Sequence, residues 1–455
     1  MQRLTRRKEI PVILAFLMLV SLLLPASALA ASDVEGHWAE AVIESWVDAG
    51  KAGGYADGTF RPNAPVTRAE FMAFTNRAFG FSAEKAISYS DVPADAWYAG
   101  VVRVAAAAGY ISGYPDGTMK PGANITRQEA AAILTKVAYL TADAAAVSGF
   151  SDKASIPSWS AGFVGAVANT SLMVGYPDGS FQPGKNITRA EAVMALDKSE
   201  NYLTAYDEAG TYGPEQGSLI LNGNVVVRVP DVTLRNVTIK GDLILDKGIG
   251  EGDVTLENVT VEGHTYVRGG GANSIHIIGG KYNNIFVEKS EGKVRVVATN
   301  AEGVKVVLAT QSEDDDSEVI LEGSFDSVTV SAPEVKVTLQ GTTTVKELVV
   351  AATATTATVN TTSTVTVEKA TVETKATFTG TGTIKEATGT AASETTYEKA
   401  PEQITVTQPT EPVTPPVTGG GGGGGSTTLA LNSITLKFTN RDPITKNSDL
   451  SAPVI

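Results

Sequence analysis

The chain has 455 residues, no cysteine and a formal net charge of −14, from 36 Lys plus Arg against 50 Asp plus Glu. Disulfides and thiolate metal sites are excluded, and an acidic chain without basic runs is a poor nucleic-acid binder. A length of this order accommodates two to four domains at roughly 100–200 residues each.

Residues 1–30 read as a secretory signal peptide, with a basic start (MQRLTRRK), the apolar run VILAFLMLVSLLL and the small-x-small site Ala28-Leu29-Ala30. Arg3, Arg6, Arg7 and Lys8 against Glu9 give this leader +3, so the rest of the chain carries −17. The apolar run is shorter than the about 20 residues that a membrane span needs. No later segment is apolar enough to cross a bilayer. The expectation is an exported chain with no transmembrane span after signal removal, and export without cysteine suits a Gram-positive envelope.

From residue 31 the chain repeats itself. GYADGTFRPNAPVTRAEF at 54–71 returns as GYPDGTMKPGANITRQEA at 113–130 and GYPDGSFQPGKNITRAEA at 175–192. Trp38, Trp97 and Trp159, and likewise Asp57, Asp116 and Asp178, keep the same two spacings. The units are placed at 31–82, 83–143 and 144–205. In each, an acid (Asp33, Asp91, Asp152) precedes the Trp and is expected to cap a first helix. A Gly-Tyr and a Pro-Asp-Gly-type turn follow, with Ala56 replacing the proline in the first unit. Thr67 with Glu70, Thr126 with Glu129 and Thr188 with Glu191 have capping-box spacing at the mouth of a second helix.

Local chemistry does not explain Arg68, Arg127 and Arg189. A cation at the first helical position opposes the helix dipole. Each either pairs with a carboxylate inside the bundle or grips an external carboxylate with its planar fork, beside helix N-terminal amides. Residues 31–200 hold 18 acids against 13 bases, so any anionic partner must be held by local geometry rather than by the overall field. Trp38, Trp97 and Trp159 serve either as packing or as sugar platforms, and so do Tyr55, Tyr114 and Tyr176. Arg61, Lys120 and Gln182 occupy equivalent places after the turn, and Gln128 replaces an Ala beside Arg127. Three sites of unequal affinity are therefore expected.

The Trp, the Gly-Tyr-Pro-Asp-Gly turn and the Ile-Thr-Arg-Ala-Glu run resemble the S-layer homology domain in three tandem copies. The resemblance implies a pseudo-threefold α-helical bundle with external prongs and grooves between repeats. It also implies non-covalent binding to secondary cell-wall polysaccharide, a peptidoglycan-linked glycan bearing ketal-linked pyruvate. The reading taken is that Arg68, Arg127 and Arg189 each grip the ligand carboxylate, while Trp38, Trp97, Trp159, Tyr55, Tyr114 and Tyr176 shape the groove.

The region 213–390 has a different texture. DVTLRNVTIKG at 231–241 recurs as DVTLENVTVEG at 253–263, and looser copies follow near Ile275, Val294, Val319 and Val335. Short alternating strands at a period near 20 predict an all-β domain, read as a right-handed parallel β-solenoid. A Thr-rich β-sandwich competes near residues 353–387. Asn236 and Asn258 fall at rung bends, as stacked amides. Residues 391–428 read as a Pro/Thr/Gly-rich linker, and 429–455 as the incomplete start of a further β module. Glu313 to Asp316 read as a solvated loop, and His37, His264 and His276 are scattered, so no metal or cofactor is expected.

These readings converge on a non-enzymatic surface protein: a wall anchor joined to a solenoid spacer or scaffold, with self-association in a surface layer as a further option. The rivals are an anchored polysaccharide-degrading enzyme, which requires Asp, Lys and Arg clustered on one outer solenoid face, and an adhesin.

Overall fold

The computed structural model describes residues 33–310 and 316–406. The expected leader at 1–30, Glu313 to Asp315 and everything beyond Val406, including the expected further module, lie outside the described residues. No helix among the described residues is long and apolar enough to cross a membrane. The chain divides into two compact units at Tyr202/Leu203.

The first unit is helical: α1 Glu40–Asp48, α2 Arg68–Ala78, α3 Ala99–Ala108, α4 Arg127–Val137, α5 Ser158–Asn169 and α6 Arg189–Tyr202. Each repeat supplies one outer helix (α1, α3, α5) and one inner helix (α2, α4, α6). The inner helices are lined by Ala, Ile, Leu, Val and Phe and are buried around most of their circumference, as expected for core elements. Just before them, three backbones close into a ring. Val66 N–H donates to Ile187 C=O, Ile125 N–H to Val66 C=O and Ile187 N–H to Ile125 C=O, at 3.0–3.1 Å.

Every outer helix packs on the inner helix of the preceding repeat. The Trp46 indole N–H donates to Asp197 on α6 at 2.9 Å. The Asn76 amide on α2 donates to Val101 C=O on α3, and Thr135 Oγ1 on α4 to Phe163 C=O on α5. The third repeat thereby meets the first. Helix α1 starts at Glu40 and buries Ile43 with Trp46, which leaves Trp38 just ahead of its first turn.

The second unit is a parallel β-solenoid of about nine turns. One stack runs through Leu203–Tyr206, Asn224–Val227, Leu243–Leu245, Thr265–Val267, Asn284–Val287 and Lys305–Leu308. Val227, Leu245, Val267, Val287 and Leu308 align down its inner side, and Leu234, Leu256, Ile277 and Ala298 down the inner side of the next. Alternation of side chains along each strand sends one set to the shared core.

The Thr-rich rungs stay in the same parallel ladder, with Val359, Val367, Val372 and Phe378 inside, so the sandwich alternative does not describe them. The ladder begins at Leu203, ahead of the expected residue 213. It also runs through Gln403–Val406, into the stretch read as linker. Asn236 and Asn258 sit at bends with φ near +54°, and Asn258 Nδ2 donates to Asn236 Oδ1 at 2.8 Å.

Inside this core Tyr282 is 2% exposed, and its hydroxyl is a buried group with no hydrogen-bond partner in the structure. Leaving a buried hydroxyl unmet costs about 1–3 kcal/mol. Tyr282→Phe is therefore expected to raise the urea midpoint, equivalent to about 1 kcal/mol. A loss of that size instead shows a hydroxyl that is bonded in solution.

Candidate functional site

The site is built three times, at the junctions between repeats. In all copies the turn closes in the same way. Tyr55, Tyr114 and Tyr176 N–H donate to Thr59, Thr118 and Ser180 C=O at 2.7–2.8 Å. The Ala56 copy needs no proline, because Asp57 Oδ1 accepts from Thr59 N–H and its hydroxyl, as Asp116 does from Thr118. These bonds, with Arg61, pull the exposed Asp57 carboxyl down to about 2.

The chain then takes a left-handed step at Arg61, Lys120 and Gln182 (φ +52 to +57°). Here the structure corrects the expectation for Asp33, Asp91 and Asp152. They do not cap the first helix. Each carboxylate spans two backbone amides of a distant turn: Asp33 holds Phe60 and Arg61 N–H, Asp91 holds Met119 and Lys120, and Asp152 holds Phe181 and Gln182.

At the helix mouths, Glu70 accepts Thr67 N–H on one oxygen while Glu70 N–H donates to the Thr67 hydroxyl. Glu191 and Thr188 repeat this exchange, and Glu129 closes a capping box with Thr126. The other oxygen of each Glu accepts the hydroxyl of Tyr55, Tyr114 or Tyr176 at 2.8–3.0 Å.

That same oxygen meets the arginine of the preceding repeat: Arg189 with Glu70 at 2.8 Å, Arg68 with Glu129 at 3.4 Å and Arg127 with Glu191 at 3.6 Å. Arg68, Arg127 and Arg189 are 1–4% exposed. Their Nε–H groups donate to Met119, Phe181 and Phe60 C=O, and the guanidinium carbons lie 4.6–4.9 Å from the centres of the Tyr114, Tyr176 and Tyr55 rings.

The outward grip expected of these arginines is therefore not the geometry found. Their forks are engaged inside the bundle. The helix-mouth amides are engaged too: Arg68 and Ala69 N–H donate to Ala123 and Pro121 C=O, Arg127 and Gln128 to Lys185 and Pro183, and Arg189 and Ala190 to Ala64 and Pro62.

Electrostatics agree with the contacts. Burial pushes the Glu70 carboxyl up, but the Thr67 amide and hydroxyl, the Arg189 guanidinium and the Tyr55 hydroxyl outweigh it and hold it below its ordinary 4.5. Burial raises Tyr114 to about 12. At neutral pH Glu70 is thus ionised and Tyr114 neutral.

What the junctions present outward are indoles and turn cations. Trp38 and Trp97 are 62% and 65% exposed, whereas Trp159 is half-buried against the helical core. Arg61 lies over Tyr55 at 4.1 Å, Lys120 over Tyr114 at 4.0 Å and Lys185 over Tyr176 at 4.3 Å.

The solenoid carries a separate open cleft of about 420 Å³, lined by Lys293, Asp316, Glu318, Lys336, Thr338 and Asn360 among others. Register across neighbouring rungs places Lys293 beside Glu318, a cluster that the sequence reading did not find. Lys293 donates to Glu318 Oε2 at 2.9 Å, and the Thr338 hydroxyl donates to Glu318 Oε1 at 2.5 Å. Burial raises the Glu318 carboxyl, while Thr338 and Lys293 draw it net downward, and Glu318 in turn raises Lys293. Both stay charged, so neither is tuned for proton transfer near neutrality.

Residues 32–72, 88–131 and 149–193 match the model of the S-layer homology domain. Cell surface glycoprotein 1 of Acetivibrio thermocellus is 34% identical over 158 residues, 32% of this chain and 7% of that protein. The amylopullulanase of Thermoanaerobacterium thermosulfurigenes is 35% identical over 37% of this chain and 10% of its own length. S-layer protein EA1 of Bacillus anthracis is 32% identical over 31% and 17%. The chain thus spans a small fraction of these relatives. Matches to the family model at all three repeats, on a helical unit built threefold, make this a cell-surface protein carrying three tandem S-layer homology domains.

Proposed function

We propose that the helical unit anchors the protein to the cell wall by holding acidic, pyruvylated secondary cell-wall polysaccharide in the junction grooves, with the solenoid as spacer. The observation that carries this reading is the pair of exposed indoles, Trp38 and Trp97, just ahead of the outer helices α1 and α3. Trp is normally highly buried; an exposed ring on a fixed helix start is a platform for the apolar face of a sugar.

In this reading Arg68, Arg127 and Arg189 position Tyr55, Tyr114, Tyr176 and the capping glutamates, and the pyruvate carboxylate meets Arg61, Lys120 or Lys185 at the rim. Retention then comes from several weak contacts on one polymer, because a second groove engages at high effective concentration. The likeness to an amylopullulanase spans a tenth of that enzyme, which supports a shared non-catalytic anchor rather than shared chemistry. Self-association in a surface layer would be a second partner.

The test is co-sedimentation of the full chain, lacking residues 1–30, with purified walls. Retention is expected on native walls and lost both on walls stripped of secondary polymer and on walls whose pyruvate ketal has been hydrolysed. Undiminished retention on either treated wall overturns the proposal.

A further inference from the structure

We infer that only two of the three grooves take the glycan, those rimmed by Trp38 and Trp97, and that the groove between the second and third repeats is closed. The inference rests on the glycan-anchoring reading above and adds its valence and the residues that set it.

The three junctions have one plan. In each, the start of an outer helix meets the inner-helix mouth of the preceding repeat. At the first two mouths the residue after the arginine is a buried alanine, Ala190 at the Trp38 junction and Ala69 at the Trp97 junction. At the third it is Gln128, whose Oε1 accepts the Ser160 hydroxyl at 3.0 Å. Ser160, next to Trp159, is wholly buried. A side-chain hydrogen bond thus ties the start of α5 to this mouth, a link that the alanines after Arg189 and Arg68 cannot make.

A second feature acts on the same helix. The segment entering the third repeat lies along α5, where Asp143 N–H donates to Gly162 C=O at 2.9 Å. It lies so close that a Cβ built on Gly165 would stand 1.7 Å from Asp143 O. Trp159 and Gly162, three residues apart, share one helix face, and Trp159 packs against the core instead of standing free.

The corresponding segment of the second repeat approaches α3 one turn further along, through Lys85 N–H to Arg103 C=O at a longer 3.4 Å and an exposed pair, Arg103 to Glu84 at 2.7 Å. It leaves Gly100 with no neighbour inside 3.6 Å of a built Cβ, and Trp97 stays 65% exposed. Charge does not separate the grooves, since Lys185 over Tyr176 takes the place that Arg61 and Lys120 fill elsewhere. Access to the indole does.

The experiment is titration calorimetry of the full chain lacking residues 1–30, with a soluble hexosamine glycoside bearing a pyruvate ketal. A stoichiometry of two is expected. It should fall to one in Trp38→Ala and in Trp97→Ala, and stay at two in Trp159→Ala and Trp159→Phe. The Phe variant keeps the packing should the Ala variant unfold. Three sites in the unmodified protein, or loss of a site in Trp159→Phe, overturn the inference while leaving anchoring intact. No binding by the unmodified protein sinks the glycan reading itself, and the inference with it.

Discussion

Replacing Arg189 by alanine is expected to destabilise the helical unit by about 3–5 kcal/mol, the usual result of removing one partner of a buried ion pair. At roughly 2–4 °C per kcal/mol for a unit of this size, the melting temperature should fall by roughly 6–20 °C. The guanidinium donates to Glu70 Oε1, Phe60 C=O and Gly53 C=O at 2.7–2.8 Å, and the substitution leaves all three without it. Arg189 should matter most of the three arginines, because its carboxylate contact is shorter than those of Arg68 and Arg127.

The pH dependence follows from Glu70, whose folded value lies below its ordinary 4.5. A depressed carboxyl contributes stability that is complete above about pH 4.5 and lost as pH falls through the folded value. The gap between the two proteins, followed by thermal melts, should therefore narrow in acid. If Arg189→Ala lost wall binding while keeping its melting temperature, the guanidinium would be a ligand group and not a strut.

Asp91→Ala should be nearly as costly, at about 3 kcal/mol, the low end for two hydrogen bonds to a charged acceptor. The carboxylate holds the Met119 and Lys120 amides at 2.8 and 2.7 Å, and Lys120 stands at φ +52°. A non-glycine residue in that region costs about 1 kcal/mol or more. Lys120→Gly alone should therefore stabilise slightly, and the double variant should lose less than Asp91→Ala alone. Chemical denaturation measures both. Equal losses in the two backgrounds mean that the aspartate does not hold the left-handed step.

These two cases show which parts of the site were legible in the sequence. Thr67 with Glu70 could be read because a capping box closes within four residues. Asp91 was misassigned to a nearby helix because its amides lie 28 and 29 residues on. The arginine partners are more distant still, 119 residues apart for Arg189 and Glu70. Spacing poses that question but does not answer it; only the closing of the third repeat on the first brings the two groups together.

The solenoid was legible where strands are rich in Val, Leu and Ile, and less so where Ala354, Ala357, Ala370 and Ala376 fill the core, because small residues weaken the alternating pattern. The Lys293–Glu318 pair was missed because its rungs differ in length, with residues 311–315 interposed, so register could not be counted along the chain.

The two units also differ in how they tolerate change of size. In the helical unit every repeat is clasped on both sides, so excising one opens two seams and leaves the remaining two of Val66, Ile125 and Ile187 short of a backbone neighbour; this ring closes with three. The solenoid adds a strand to a strand, and a rung inserted or deleted alters its reach without disturbing what lies beyond the adjacent layers. Evolution can lengthen or shorten the second freely, while the first must be inherited whole.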